Sequence, residues 1–209
     1  MNFHHYRPEP LPLALPAVNA GKRARDVAGL KLADAALLEF NIHLHDVYRQ
    51  APSVDAGQIA DLALWLEALP AETAAATIHL RLARADSLRR MLDDANWPLD
   101  SQLRQRGIAL LDYLHRFDDL IPDEVPVIGH LDDALLIELS WSEFEGEVAD
   151  YQDFLRFRAQ TPVRGTAEEQ RTAWETDCLA RANAILHRQT LRERGYARPE
   201  PYSRPFRVC

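Results

Sequence analysis

An acidic segment near the middle of the chain carries the residue types that bind divalent cations. The stretch FDDLIPDEVPVIGHLDD, residues 117 to 133, contains five aspartates, one glutamate and one histidine around two prolines and a glycine. Hard divalent cations bind several carboxylate oxygens at short range, and a histidine can add a nitrogen ligand. If the segment folds back on itself, a site for Mg, Mn or Ca could form from Asp118, Asp119, Asp123, His130, Asp132 and Asp133.

The same residues also fit a purely structural role. Asp123 would close a turn, and Asp132 and Asp133 would open the next helix, where free backbone amides and the positive end of the helix dipole favour carboxylates. Asp118 and Asp119 would pair with arginines. The sequence favours this interpretation, because carboxylates are common at helix starts and the spacing matches no all-protein ligand loop. The metal site remains the alternative.

A second hypothetical cluster lies in the segment EFNIHLHD. On a helix Glu39, His43 and Asp46 are spaced i, i+4 and i+7, so their side chains share one ridge. They could form half of a metal site that the acidic segment completes. A solvated polar face is the favoured interpretation. No cofactor-binding motif is recognisable: eight glycines include no phosphate-binding loop, and no serine or cysteine has the sequence context of a nucleophile.

Helical periodicity dominates the rest of the chain and must position these residues. Apolar residues recur every three or four positions, and no convincing strand pattern is present. Asp55 and the pair Thr166 and Glu169 have the spacing of helix caps. The chain is therefore predicted to be an all-α bundle of about six helices. The apolar seams are Leu30 to Val47, Ile59 to Leu69, Ile78 to Leu92, Leu103 to Phe117, a continuous Ala134 to Leu155, and Trp174 to Ile185.

Proline-rich segments at both ends predict extended arms. The expected organisation is an N-terminal arm over residues 1–20, a single helical domain over residues 21–194, and a basic C-terminal tail over residues 195–209. The long Ala134 to Leu155 seam and the arms also suggest self-association.

The segment DLIPDEVPVIGHLDDALLI, residues 119 to 137, resembles the signature of the YkvA-type domain, a small bacterial domain of unknown function. The resemblance covers roughly Leu110 to Leu139 and follows the pattern D-x-I-P-D-x-x-P-V-x-G-x-x-D-D. The resemblance implies a helical hairpin with an acidic turn at about residues 100–158, and it implies no established activity. In many members the helix after the paired aspartates is apolar and suggests membrane association. Here Glu138, Glu143 and Glu145 interrupt that helix, so the membrane inference is not carried over.

Charge is distributed unevenly along the chain. The net charge of −8 disfavours nucleic-acid binding. Between Asp118 and Asp153 there are twelve acidic residues and no lysine or arginine, whereas seven arginines lie from Arg181 onward. We therefore expect the tail after Gly195 to lie across the acidic segment of the same chain or of a neighbour. No membrane span or secretion signal is recognisable, so a cytoplasmic location is predicted.

These observations predict a non-catalytic interaction or regulatory module that binds a protein partner or a second copy of itself. The alternative is a divalent-metal-dependent hydrolase of the phosphoester type that uses the acidic segment. The two hypotheses differ in what they require of the carboxylates. A metal enzyme needs them to converge within a few ångströms in a cleft, with the pKa of at least one of them strongly shifted. Splayed, solvated side chains would favour the module.

Overall fold

The computed structural model describes residues 9–13, 26–27, 30–116, 120–161 and 164–193. The prediction of an all-α fold is confirmed. In this part of the chain there are seven α-helices and one 3-10 helix, Trp141–Glu143. The α-helices are α1 (Asp34–Val47), α2 (Ala56–Glu67), α3 (Ala71–Asp93), α4 (Ser101–Tyr113), α5 (Leu131–Ser140), α6 (Glu145–Gln160) and α7 (Ala167–Glu193).

Both predicted helix caps are present. The Asp55 carboxylate accepts from the Gln58 amide at 2.9 Å, and the Gln58 side chain accepts from the Asp55 amide at 2.9 Å. At α7, Thr166 Oγ1 accepts from the Glu169 amide at 3.2 Å, and Glu169 accepts from the Thr166 amide at 2.8 Å. Each cap satisfies backbone donors that the first turn leaves without a helical partner.

Two helix boundaries differ from the prediction. The first helix begins at Asp34, because the preceding residues form a two-residue antiparallel ladder, β1 (Asp26–Val27) with β2 (Leu30–Lys31). The predicted continuous helix from Ala134 to Leu155 is wrong, since the 3-10 helix separates α5 from α6. Trp141 and Phe144 are buried on either side of this break. Periodicity cannot reveal such a break, because the apolar side chains stay in the core whether or not the helix is interrupted.

The chain forms two compact units, Met1–Asp153 (the first unit) and Phe154–Cys209 (the second unit). The predicted single helical domain over residues 21–194 spans parts of both units. In the first unit α5 contacts α1, α3 and α4, and its apolar residues from Leu131 to Ile137 are fully buried. In the second unit Phe154 and Trp174 make an edge-to-face contact with ring centroids 6.1 Å apart.

Most of the predicted arms lie outside the described residues. Within the N-terminal arm only residues 9–13 are described, and there Leu11 is buried and the Glu9 carbonyl accepts from Arg81 Nη2 at 2.7 Å. The basic tail, residues 195–209, and with it the expected contact to the acidic segment, also lies outside them. No helix in the described part of the chain is long and apolar enough to cross a membrane.

Candidate metal and docking site

The acidic corner, residues 120–133, connects α4 to α5 through a compact turn. The Val125 amide donates to the Pro122 carbonyl at 3.0 Å, and the Gly129 amide donates to the Val125 carbonyl at 2.9 Å. Val127, between them, has a φ of 71°. A β-branched residue rarely adopts this left-handed conformation, which costs on the order of 1–3 kcal/mol. The surrounding hydrogen bonds must therefore hold the turn in place.

Gly129 is required by close packing inside this turn. A Cβ atom at this position would lie 2.8 Å from the Asp123 carbonyl carbon and 2.9 Å from the Val125 carbonyl oxygen. Both neighbours are backbone atoms of the same turn, so neither can move without opening it.

We expect Gly129→Ala to lower the free energy of unfolding by about 2–3 kcal/mol, because the added methyl group overpacks a rigid turn. Urea denaturation measured by circular dichroism tests this. Gly146→Ala is the matched control, since a Cβ there meets no atom within 4 Å. Equal stability of the two variants would show that the corner is more adaptable than its geometry indicates.

Asp132, in the first turn of α5, connects the acidic corner to the end of α4. Its side chain is fully buried, and Oδ2 accepts from the Tyr113 hydroxyl at 3.0 Å and from the amides of Leu120 and Ile121 at 3.1 and 3.3 Å. One carboxylate oxygen thus joins the end of α4, the beginning of the corner and α5. This is a structural role for a residue that the sequence offered as a metal ligand.

Three predicted ligands converge on the other side of the corner. His130 Nδ1 lies 2.9 Å from Asp123 Oδ1 and 3.2 Å from Asp133 Oδ2, and one ligand atom from each of the three residues lies within 4.8 Å of the others. Ligand atoms about 2.1 Å from a metal ion are roughly 3.0–3.4 Å apart at octahedral or tetrahedral angles. The His130 contacts already have this spacing. Asp133 is buried, whereas His130 is about half exposed.

The chemistry of this triad narrows the choice of metal. One imidazole nitrogen with two carboxylates suits Mn²⁺, Zn²⁺ or a related transition metal better than Mg²⁺ or Ca²⁺, which prefer oxygen ligands. The same short contacts are also those of a histidine that donates its proton to a carboxylate. A cation would take the place of that proton, so metal binding and protonation of His130 must compete.

A groove of about 420 Å³ adjoins the triad. One wall is the first half of α3, with Ala71, Ala74, Ala75, Ile78, His79 and Leu82. The other wall is the acidic corner, from Asp123 to Val127 with Gly129 and His130. The groove is therefore apolar along most of its length, and its charged lining residues are acidic. No lysine or arginine lines it.

The other predicted ligands lie elsewhere. Asp118 and Asp119 are outside the described residues. Glu39 contacts His43 at 3.6 Å and Arg116 at 2.8 Å, and the His43 ring packs against Tyr113. Within the described chain, the triad at the corner is the one group of three His, Cys, Asp or Glu side chains close enough to share a metal, so Asp46 does not join Glu39 and His43 in such a group.

A buried ionic network lies deeper in the first unit and was not predicted. Arg81 is almost fully buried in α3, and its Nε lies 3.2 Å from Glu138 Oε2 of α5. Arg84 reaches the same oxygen at 3.1 Å and stacks on the Trp141 ring. Burial lowers the pKa of Arg81, and the opposing charge of Glu138 limits that shift. Two features of the sequence could have indicated this pair. Arg81 follows Ile78 by three residues and so shares its buried face, and Glu138 interrupts an otherwise apolar helix.

Comparisons with known proteins supply no relative. A scan against protein-family models matches none, and searches of the curated proteins and of the solved structures find no match either. The resemblance to the YkvA-type domain therefore stays a prediction.

Proposed function

We propose that the protein is a non-catalytic interaction module whose acidic corner binds a divalent cation and whose adjoining groove binds a partner. The observation that carries this proposal is the convergence of Asp123, His130 and Asp133 at the edge of an apolar groove. Apolar grooves with a few placed charges are typical of binding sites for chain segments.

The lining of the groove argues against phosphoester chemistry. Besides the metal ion, enzymes that cleave phosphoesters place cationic side chains or oriented backbone amides around the phosphate. No lysine or arginine lines this groove, and Glu124, which is not a member of the triad, would repel an anionic substrate.

The hydrolase nevertheless remains a second candidate, supported by two features of the triad. Its two carboxylates and His130 place ligand atoms within 4.8 Å of one another, as a metal enzyme requires. Three protein ligands would leave coordination positions open for water, as in catalytic metal sites. A nitrophenol-release assay with bis-(nitrophenyl) phosphate and the Mn²⁺- or Zn²⁺-loaded protein tests this candidate. Activity that is lost in Asp123→Asn would establish a hydrolase in place of the non-catalytic module.

Calorimetric titration of the tag-free, chelator-treated chain with Mn²⁺ and Zn²⁺ tests the metal site. We expect one ion per chain, with Mg²⁺ and Ca²⁺ bound more weakly. Asp123→Asn and His130→Ala should each lower the affinity at least roughly tenfold, since each removes one of three ligands. Affinity should also fall as the pH is lowered, because only the neutral imidazole binds metal.

The matched control is Asp150→Asn, which removes one charge from an exposed position outside the corner. It should leave the affinity within about twofold, since screening weakens distant charges. Affinities that are equal in Asp123→Asn, His130→Ala and the unmodified chain would contradict the proposed site. Circular dichroism of each variant confirms that a loss of binding is not a loss of folding.

A further inference from the structure

We infer that the groove between α3 and the acidic corner binds the arginine- and aromatic-rich segment Arg198 to Arg207 of a second copy of this chain. The inference rests on the proposed interaction module and names its partner. Three properties of the described residues lead to it: the shape of the groove, its apolar walls and the sign of its charge.

The shape of the groove comes from small residues on α3. Ala71, Ala74 and Ala75 occupy the first turns, so the helix surface there is hollow. Ile78 and Leu82 continue the same face of the helix, because they follow at spacings of three and four residues. A volume of about 420 Å³ is at the lower end of typical ligand sites, which suits one or two large side chains of a bound segment.

The opposite wall is formed by Val125, Pro126 and Val127. The Val127 side chain is about half exposed, although its backbone adopts an unfavourable conformation. An exposed apolar wall facing an apolar helix offers an aromatic or aliphatic side chain a place to bury its surface. Removal of this apolar surface from water favours association.

Charge selects the kind of segment that fits. Asp123 and Glu124 belong to the lining. A cation on the triad would neutralise Asp123, so the charge that remains available to a partner is that of Glu124, which is exposed. A cationic side chain next to an apolar one therefore complements the groove. Arginine is preferred to lysine, because its planar guanidinium can form two parallel hydrogen bonds with a carboxylate.

The chain itself carries a segment with this chemistry. The sequence RPEPYSRPFR, residues 198 to 207, combines three arginines with Tyr202 and Phe206. Its three prolines restrict the backbone before binding, so less conformational entropy is lost on association. If two copies exchange these segments, the same contact forms twice and the assembly closes as a symmetric dimer.

Sedimentation velocity of the full chain over a range of concentrations tests the inference. We expect the average mass to rise from monomer towards dimer with a dissociation constant on the order of 10–100 µM, and dimerisation to weaken at high salt. Ala75→Arg should raise that constant at least roughly tenfold, because the long cationic side chain fills the groove and repels the arginines. Arg204→Glu combined with Arg207→Glu should do the same.

Ala83→Arg is the matched control, because Ala83 is an exposed residue of α3 that does not line the groove. It should dimerise like the unmodified chain. Charge exchange gives a further test: Glu124→Arg should restore part of the association lost in the doubly substituted Arg204→Glu, Arg207→Glu chain.

The inference is overturned if the full chain stays monomeric at every concentration, or if Ala75→Arg and Ala83→Arg dimerise equally. It is also overturned if a synthetic peptide of residues 198–207 binds the groove while the chain stays monomeric, since the natural occupant would then not be a second copy. Metal titration of the same variants separates the two proposals. The doubly substituted Arg204→Glu, Arg207→Glu chain leaves the groove and the triad unchanged and should keep its Mn²⁺ affinity. Loss of dimerisation alone in that chain therefore concerns the groove, and absence of Mn²⁺ binding in the unmodified chain concerns the triad.

Discussion

Replacing Glu138 with alanine is expected to lower the free energy of unfolding of the first unit by about 3–5 kcal/mol. The reason is Arg81, whose guanidinium is almost fully buried and has Glu138 as its ion-pair partner 3.2 Å away. Its other polar contacts are the backbone carbonyls of Thr77 and Glu9, which carry no net charge. Removing the carboxylate therefore leaves a buried cation without an opposing charge.

Urea denaturation followed by circular dichroism and tryptophan fluorescence measures this loss. Glu138→Gln is the first control and should be less destabilising, because the amide oxygen still accepts hydrogen bonds. A chain with both Arg81→Leu and Glu138→Leu should be more stable than Glu138→Ala, since replacing both members of a buried pair is often close to neutral. A loss below about 1 kcal/mol in Glu138→Ala would show that water reaches Arg81.

Asp132→Ala is expected to cost about 3–4 kcal/mol of unfolding free energy. One oxygen of this buried carboxylate accepts three hydrogen bonds, from the Tyr113 hydroxyl and from the amides of Leu120 and Ile121. Alanine would leave three buried donors without that acceptor, and each such donor costs on the order of 1–3 kcal/mol if no water replaces it.

Two milder variants separate the contributions. Tyr113→Phe removes one donor and should cost about 1 kcal/mol, whereas Asp132→Asn keeps an acceptor oxygen and should be intermediate. Thermal and urea unfolding of the three variants test this order. If Asp132→Ala were no less stable than Tyr113→Phe, the two backbone amides would contribute nothing to the corner.

The sequence predicted best those features that depend on neighbouring residues. The Asp55 and Thr166 caps were correct because donor and acceptor are only three residues apart. The presence of helices and the buried faces of α2 and α5 were also predicted correctly, because the apolar pattern repeats every three or four residues. The break after Ser140 was missed, since it leaves the apolar pattern unchanged.

The candidate site was predicted only as a set of residues. Six side chains were proposed as ligands, and periodicity could not separate Asp132, which supports the turn, from Asp133, which joins the triad. The different roles of Asp132 and Asp133 depend on the path of the corner through Val127 and Gly129 and on the contact of Asp132 with Tyr113 in α4.

The buried ion pair was not predicted, because Arg81 and Glu138 are 57 residues apart in the sequence. The apolar pattern of α3 predicted that Leu82 faces the core with Ile78. In the structure Arg81 is buried more deeply than Leu82.

The burial of the first seven residues of α5, Leu131 to Ile137, has a consequence for how the protein responds to its surroundings. Asp133 belongs to the first turn of this helix, and α1, α3 and α4 all pack against it. A cation held by Asp133 in the folded state must therefore leave when the first unit unfolds. By mass action the unfolding free energy then rises as RT ln(1 + [L]/Kd), about 2.7 kcal/mol at a cation concentration a hundred times Kd. The free energy of unfolding of the first unit would thus depend on the concentration of the cation in the medium.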